Sequence, residues 1–218
     1  MTRIKLFPLG VALALLAVSA QAGPPLICHP FDIGTAKSLP WGDGQGWDRA
    51  RSDYDLKRLV AGTLALLTPD TPVVVRMETL RRATVYAAKD RAIARELLGR
   101  LMERASEAES KGKSDALALF DAGYLAESYK QMSRELKGLT PANDVNGYAL
   151  VRRAIGLRGK DPEMEFAAAL ITWSDKSAQH HEHYRNTVNG AAEGSLLARN
   201  LVSHFSHKGQ TLAELREK

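Results

Sequence analysis

The chain has 218 residues, of which 44% are hydrophobic and 25% charged. That is the composition of an ordinary folded protein and excludes a disordered tail, a collagen or a disulfide-stapled scaffold. Lys and Arg number 30 against 25 Asp and Glu, but the first 22 residues hold two of the bases and no acid, which leaves 28 against 25 for the rest. So small a surplus is not the electrostatic footprint of a nucleic-acid binder, and no nucleic-acid partner is expected.

Residues 1–22 combine a basic start (Arg3, Lys5), an apolar run from Leu9 to Val18 and the small-residue triplet Ala20, Gln21, Ala22. This pattern predicts a secretory signal peptide, with the mature chain exported to a periplasmic or extracellular compartment. The apolar run is about half the roughly twenty residues that a membrane span needs, and no later stretch reaches that length, so no integral span is expected in the mature chain. Cys28 is the only cysteine and cannot form an internal disulfide. Pro25, Leu26 and Ile27 before it argue against a lipoprotein cleavage site, leaving a packed thiol or a cross-link between two chains.

Residues 23–51 hold four of the nine prolines and no sustained periodicity. They read as an irregular N-terminal arm, too apolar (Phe31, Ile33, Leu39, Trp41, Trp47) for a free linker and so expected to lie on the domain that follows, with Trp41 and Trp47 packing it down. From 52 to 218 the spacing is helical and predicts a single all-α domain. Leu56, Leu59, Val60, Thr63, Leu66 and Leu67 mark a first helix, ended by Pro69. Helices follow over about 72–88, 90–109 and 115–136, the last with Gly123 and Ala126 small enough for a neighbour to approach closely. Further helices are predicted over about 145–157 and 162–173. The latter is apolar on nearly all sides and is expected to be central. Asn189 and Gly190 punctuate another, 191–205 follows, and Thr211 with Glu214 makes a capping box for a short last turn. The class is all-α, built of antiparallel helical hairpins in a tetratricopeptide-like array or a bundle.

The run Gly147 to Ile155, with Asp161, Pro162 and Phe166 to Ile171, resembles the junction between successive tetratricopeptide-like hairpins, and residues 116–132 resemble one helix of such a hairpin. That resemblance spans at most residues 116–171 and implies a helical-hairpin array that binds a peptide or protein, with no catalytic residues to carry over. The combination Cys28, His29, Pro30, Phe31, Asp32 with Leu39, Pro40, Trp41 resembles uncharacterised exported bacterial proteins and implies no activity.

Candidate chemistry is sparse. His180 and His183, and His204 and His207, are spaced to offer two imidazoles each on a helix face to a transition metal, with Glu182 as a further ligand. No H-E-x-x-H occurs, and a solvated helix face explains the same spacing. Asp43, Gln45 and Asp48 lack the terminal glutamate of a calcium loop and read as a turn. His29 beside Cys28, with Asp32 near, suggests a nucleophile and base, but neighbouring side chains on an extended arm diverge. The eight bases between Arg76 and Arg104 could meet an acidic partner or anionic lipid, yet do not share one helical face. Phosphate-cradling, G-x-S-x-G and C-x-x-C motifs are missing, and scattered acids such as Asp121 and Glu127 remain for an assembled site. The expectation is a protein- or peptide-binding scaffold, with no cofactor and no recognisable catalytic motif. The alternative is a metal-binding helical bundle using His180, His183, His204 and His207.

Overall fold

The computed structural model describes residues 25–44, 46–132, 140–174, 177–205 and 209–217, so the predicted signal peptide and His207 lie outside the described residues. These residues form helices joined by turns and contain no strand. A 3-10 turn at Leu56–Arg58 leads into α1 (Leu59–Leu66), α2 (Val73–Ala87), α3 (Arg91–Ser110), α4 (Ala116–Gln131), α5 (Thr140–Asp144), α6 (Gly147–Arg158), α7 (Pro162–Ile171), α8 (Ala178–Gly190), α9 (Leu196–Phe205) and α10 (Leu212–Arg216).

The helix starts follow local chemistry. Asp90, Asp115 and Asp161 each accept two backbone amides of the helix they precede, which satisfies donors with no intrahelical partner, and Pro162 opens α7 where its missing amide costs nothing. Thr211 and Glu214 form the expected capping box. Gly159 ends α6 in the left-handed region (φ 71°), which glycine enters without a Cβ clash. Two boundaries differ from the spacing alone. The first helix splits into a 3-10 turn and α1, because Asp55 caps Lys57 and sets a tight start. The helix expected from Ala191 begins at Leu196, after a turn through left-handed Gly194 and a Ser195 hydroxyl that accepts the Ala198 amide. The expected extension of α4 to Leu136 falls outside the described residues.

At the centre, α4 packs on α2, α3 and α6, and α7 packs on α2, α6 and α8. Gly123 of α4 and Gly147 of α6 meet backbone to backbone, and a Cβ built on Gly123 would lie 2.6 Å from the Gly147 carbonyl oxygen. This is the close approach that the small residues of α4 suggested. In α7, Met164 to Leu170 are all buried, Glu165 among them, as expected of a helix apolar on nearly all sides. Yet α2 is enclosed as completely, although it carries Arg76, Glu78 and Arg81, each no more than 1% exposed.

Those charges explain the arm. The described residues between 25 and 51 have no regular secondary structure, so their backbone polar groups need other partners. Glu78 Oε2 accepts the Phe31 amide at 3.0 Å, Arg81 donates to the Ile27 and Trp47 carbonyls at 3.2 and 2.9 Å, and Arg82 donates to the Leu39 carbonyl at 2.7 Å. The Tyr86 hydroxyl donates to the Pro40 carbonyl at 2.6 Å and accepts the Arg51 amide at 3.1 Å. Asn200 on α9 pairs with both backbone groups of Asp32. Leu26, Ile27, Phe31, Ile33 and Leu39 are buried beneath, and Trp41 and Trp47 pack on the core, Trp41 with the Arg81 guanidinium 5.0 Å from its ring. No helix among the described residues is long and apolar enough to cross a membrane.

Candidate functional site

The most organised set of polar side chains outside the arm joins α6, α7 and α8. Asn146 caps α6 through the Ala149 amide, which puts Tyr148 in the first turn, where its own amide donates to Glu127 on α4 at 3.0 Å. The Tyr148 hydroxyl lies 2.8 Å from His183 Nε2, His183 Nδ1 lies 2.5 Å from Glu165 Oε2, and Asn186 Nδ2 donates to Glu165 Oε1 at 3.0 Å. Glu165 and His183 are buried, and Tyr148 is half-buried. In the neutral imidazole tautomer whose Nδ1 donates to the Glu165 carboxylate, Nε2 accepts from the phenol. Arg152, one turn along α6, is exposed with its guanidinium 5.9 Å from the Tyr148 ring centre.

The remaining histidines have separate surroundings. His180 Nδ1 donates to the Ala169 carbonyl at 3.0 Å, so although it shares α8 with His183 the two engage different residues of α7. His204 stacks on Phe31 with ring centres 4.8 Å apart, meets the Phe166 ring edge-on and lies beside His29, and this burial pushes its pKa down to about 4. Among the described residues no three His, Cys, Asp or Glu side chains are grouped to hold a metal. The loop bearing Asp43 and Asp48 is closed by the Gly42 amide donating to the Arg49 carbonyl at 2.8 Å, with Gln45 outside the described residues. Cys28 is half-buried, and burial raises its thiol pKa against the opposing pull of Arg81. Asp32 turns to Arg199 at 2.6 Å. Asp121 is bonded to Arg76 on α2 at 2.6 Å, whereas Glu127 serves Lys130 and the Tyr148 amide.

Two clefts meet at the end of the bundle where the α1–α2, α3–α4 and α6–α7 turns come together. One has a volume of 730 Å³ and runs from Pro69 and Pro72 past Leu157 to Lys160, and the other, of 620 Å³, runs from Arg104 past Lys111 and Lys113. Leu117 and Arg158 line both, so the two clefts adjoin. Of the five carboxylates along them, four have partners within the protein and Asp70 is exposed. Asp115 and Asp161 hold helix-start amides, Glu163 accepts the Val74 amide at 3.1 Å, and Glu107 lies 3.9 Å from Lys111. Lys113 and Lys160 are exposed, and Leu157, in the lining of the larger cleft, is 49% exposed.

The basic run between Arg76 and Arg104 divides. Arg76 and Arg81 are interior and Arg82 faces the arm, so three of its eight bases are absent from any outer patch. Sequence reasoning passed over Glu165, whose only signal was one acid just before an otherwise apolar segment, and over Tyr148. Comparison of the chain with family models, with curated proteins and with solved structures gives no match.

Proposed function

We propose that the chain is an exported helical scaffold that binds an extended segment of a protein partner in the groove between the α1–α2, α3–α4 and α6–α7 turns. The observation that carries this reading is the pair of adjoining clefts, of 730 and 620 Å³, that share Leu117 and Arg158 in their linings. Its chemistry selects the occupant. Leu117 and Leu157 supply apolar lining and Lys113 and Lys160 are exposed cations of the two clefts, so on this reading the bound segment carries a leucine-like side chain with Asp or Glu set against these two lysines. On this reading the successive helices α3, α4, α6 and α7 act as a tetratricopeptide-like array whose turns line the site, and the pattern of residues 1–22 delivers the protein across the membrane.

Fluorescence polarisation with labelled twelve-residue peptides, differing only in the acids placed around a central leucine, tests it. Affinity is expected to rise with acidic content and to fall about tenfold or more when Lys113 and Lys160 are both changed to Glu, since rim charges of reversed sign repel the ligand. Equal binding of neutral and acidic peptides, or none of either, contradicts the reading.

A further inference from the structure

Beyond binding, the Tyr148, His183, Glu165 and Asn186 chain has the connectivity of an activated nucleophile. We propose that Tyr148 is the nucleophile of an acyl-transfer site that cleaves activated esters, with His183 as its base. Three relations support this. The nucleophile and base are within hydrogen-bond reach at 2.8 Å, the base is oriented by a buried carboxylate at 2.5 Å, and that carboxylate is fixed by Asn186 at 3.0 Å. Tyr148 comes from α6, Glu165 from α7, and His183 and Asn186 from α8, so the packing that fixes the three helices also fixes the relay. The phenol is on the solvent side of the chain and the carboxylate on the buried side, which is the order a substrate arriving from solvent requires. Arg152 lies over the ring face, with its guanidinium 5.9 Å from the ring centre.

The reaction balances without another reagent. The Tyr148 oxygen bonds to the ester carbonyl carbon as its proton passes to His183 Nε2. The carbon–oxygen bond to the leaving group then breaks, and His183 returns the proton to the departing oxygen. Water attacks the tyrosyl ester with His183 as base, the acid product leaves, and Tyr148 regains its proton. Glu165 and Asn186 do not touch the substrate and act as positioning residues.

The full chain incubated at neutral pH with p-nitrophenyl acetate tests the proposal. Nitrophenol release is expected to fall about a hundredfold in both Tyr148→Phe and His183→Gln. Acid quenching of the unaltered protein is expected to trap one acetyl group on Tyr148, formed far faster than on Tyr184, a half-buried phenol that donates to the Leu215 carbonyl. Circular dichroism verifies that both variants fold, and the trapping result does not depend on them. Acetylation of Tyr148 no faster than that of Tyr184, or release unchanged in Tyr148→Phe, overturns the proposal and leaves the groove reading untouched, because the two sites share no residue.

Discussion

Replacing Glu78 by Gln is expected to destabilise the protein by about 3–5 kcal/mol, because the change leaves buried guanidinium charge uncompensated. Glu78 is 1% exposed and its two oxygens accept from Arg81 at 2.7 and 2.9 Å, from Arg82 at 2.6 Å and from the Phe31 amide at 3.0 Å. Burial alone would raise its pKa, but the Arg81 and Arg82 guanidiniums outweigh it and hold the carboxyl below its ordinary range. A glutamine cannot offset two cations, and its amide nitrogen would face donors. The loss should fall mainly on the arm, since the same guanidiniums hold the Ile27, Leu39 and Trp47 carbonyls. Urea unfolding followed by tryptophan fluorescence reads it, with Trp41 and Trp47 reporting on the arm and the midpoint on stability. A midpoint within experimental error of the parent would contradict the account.

The second large effect is a pair of opposed pH dependences. Burial raises the pKa of Asp121 from 3.8 to about 6, against the pull of Arg76, and lowers that of His204 from 6.5 to about 4. The stability that Asp121 contributes is therefore full below its unfolded value near 3.8 and lost as pH rises through about 6. His204 behaves oppositely: its contribution is full above its unfolded value of 6.5 and lost as pH falls toward about 4. At about 1.4 kcal/mol for each pH unit between folded and unfolded values, each effect is worth about 3 kcal/mol, so the two nearly cancel in the intact chain. Asp121→Asn should unmask the histidine, and relative to the parent the variant should lose about 3 kcal/mol between pH 6.5 and 4. His204→Gln should show the reverse and gain stability relative to the parent as pH falls through 6. Both are read from urea midpoints across that range. Variants whose pH slopes match the parent would contradict the assignment.

The all-α class, the capping box of Thr211 and Glu214 and the close contact at Gly123 were legible because each rests on a local rule. Apolar spacing, a Thr three residues before a Glu or a glycine within a helical stripe needs no knowledge of what lies across the fold. The role of α2 was not legible for the opposite reason. Arg76, Glu78, Arg81 and Arg82 look like the wet side of a helix until the arm is laid against them, and no local pattern says that Glu78 will accept an amide from Phe31, 47 positions earlier. The same holds for the relay. Tyr148, Glu165 and His183 lie on three helices, and only the packing of α6, α7 and α8 brings a phenol, a carboxylate and an imidazole into line. The histidine pair at 180 and 183 was visible as a pair, but its spacing could not show that one ring faces a carbonyl and the other a carboxylate.

At the centre of this account is an arm that belongs to the folded core, fastened by charges inside α2, and native-state hydrogen exchange at the Phe31 amide tests that most directly. Bonded to a carboxylate that is itself buried, this amide is predicted to exchange as slowly as the interior amides of α2, opening only with global unfolding. Exchange at the rate of an exposed loop, while α2 stays protected, would show the arm detached from the helices and contradict the account.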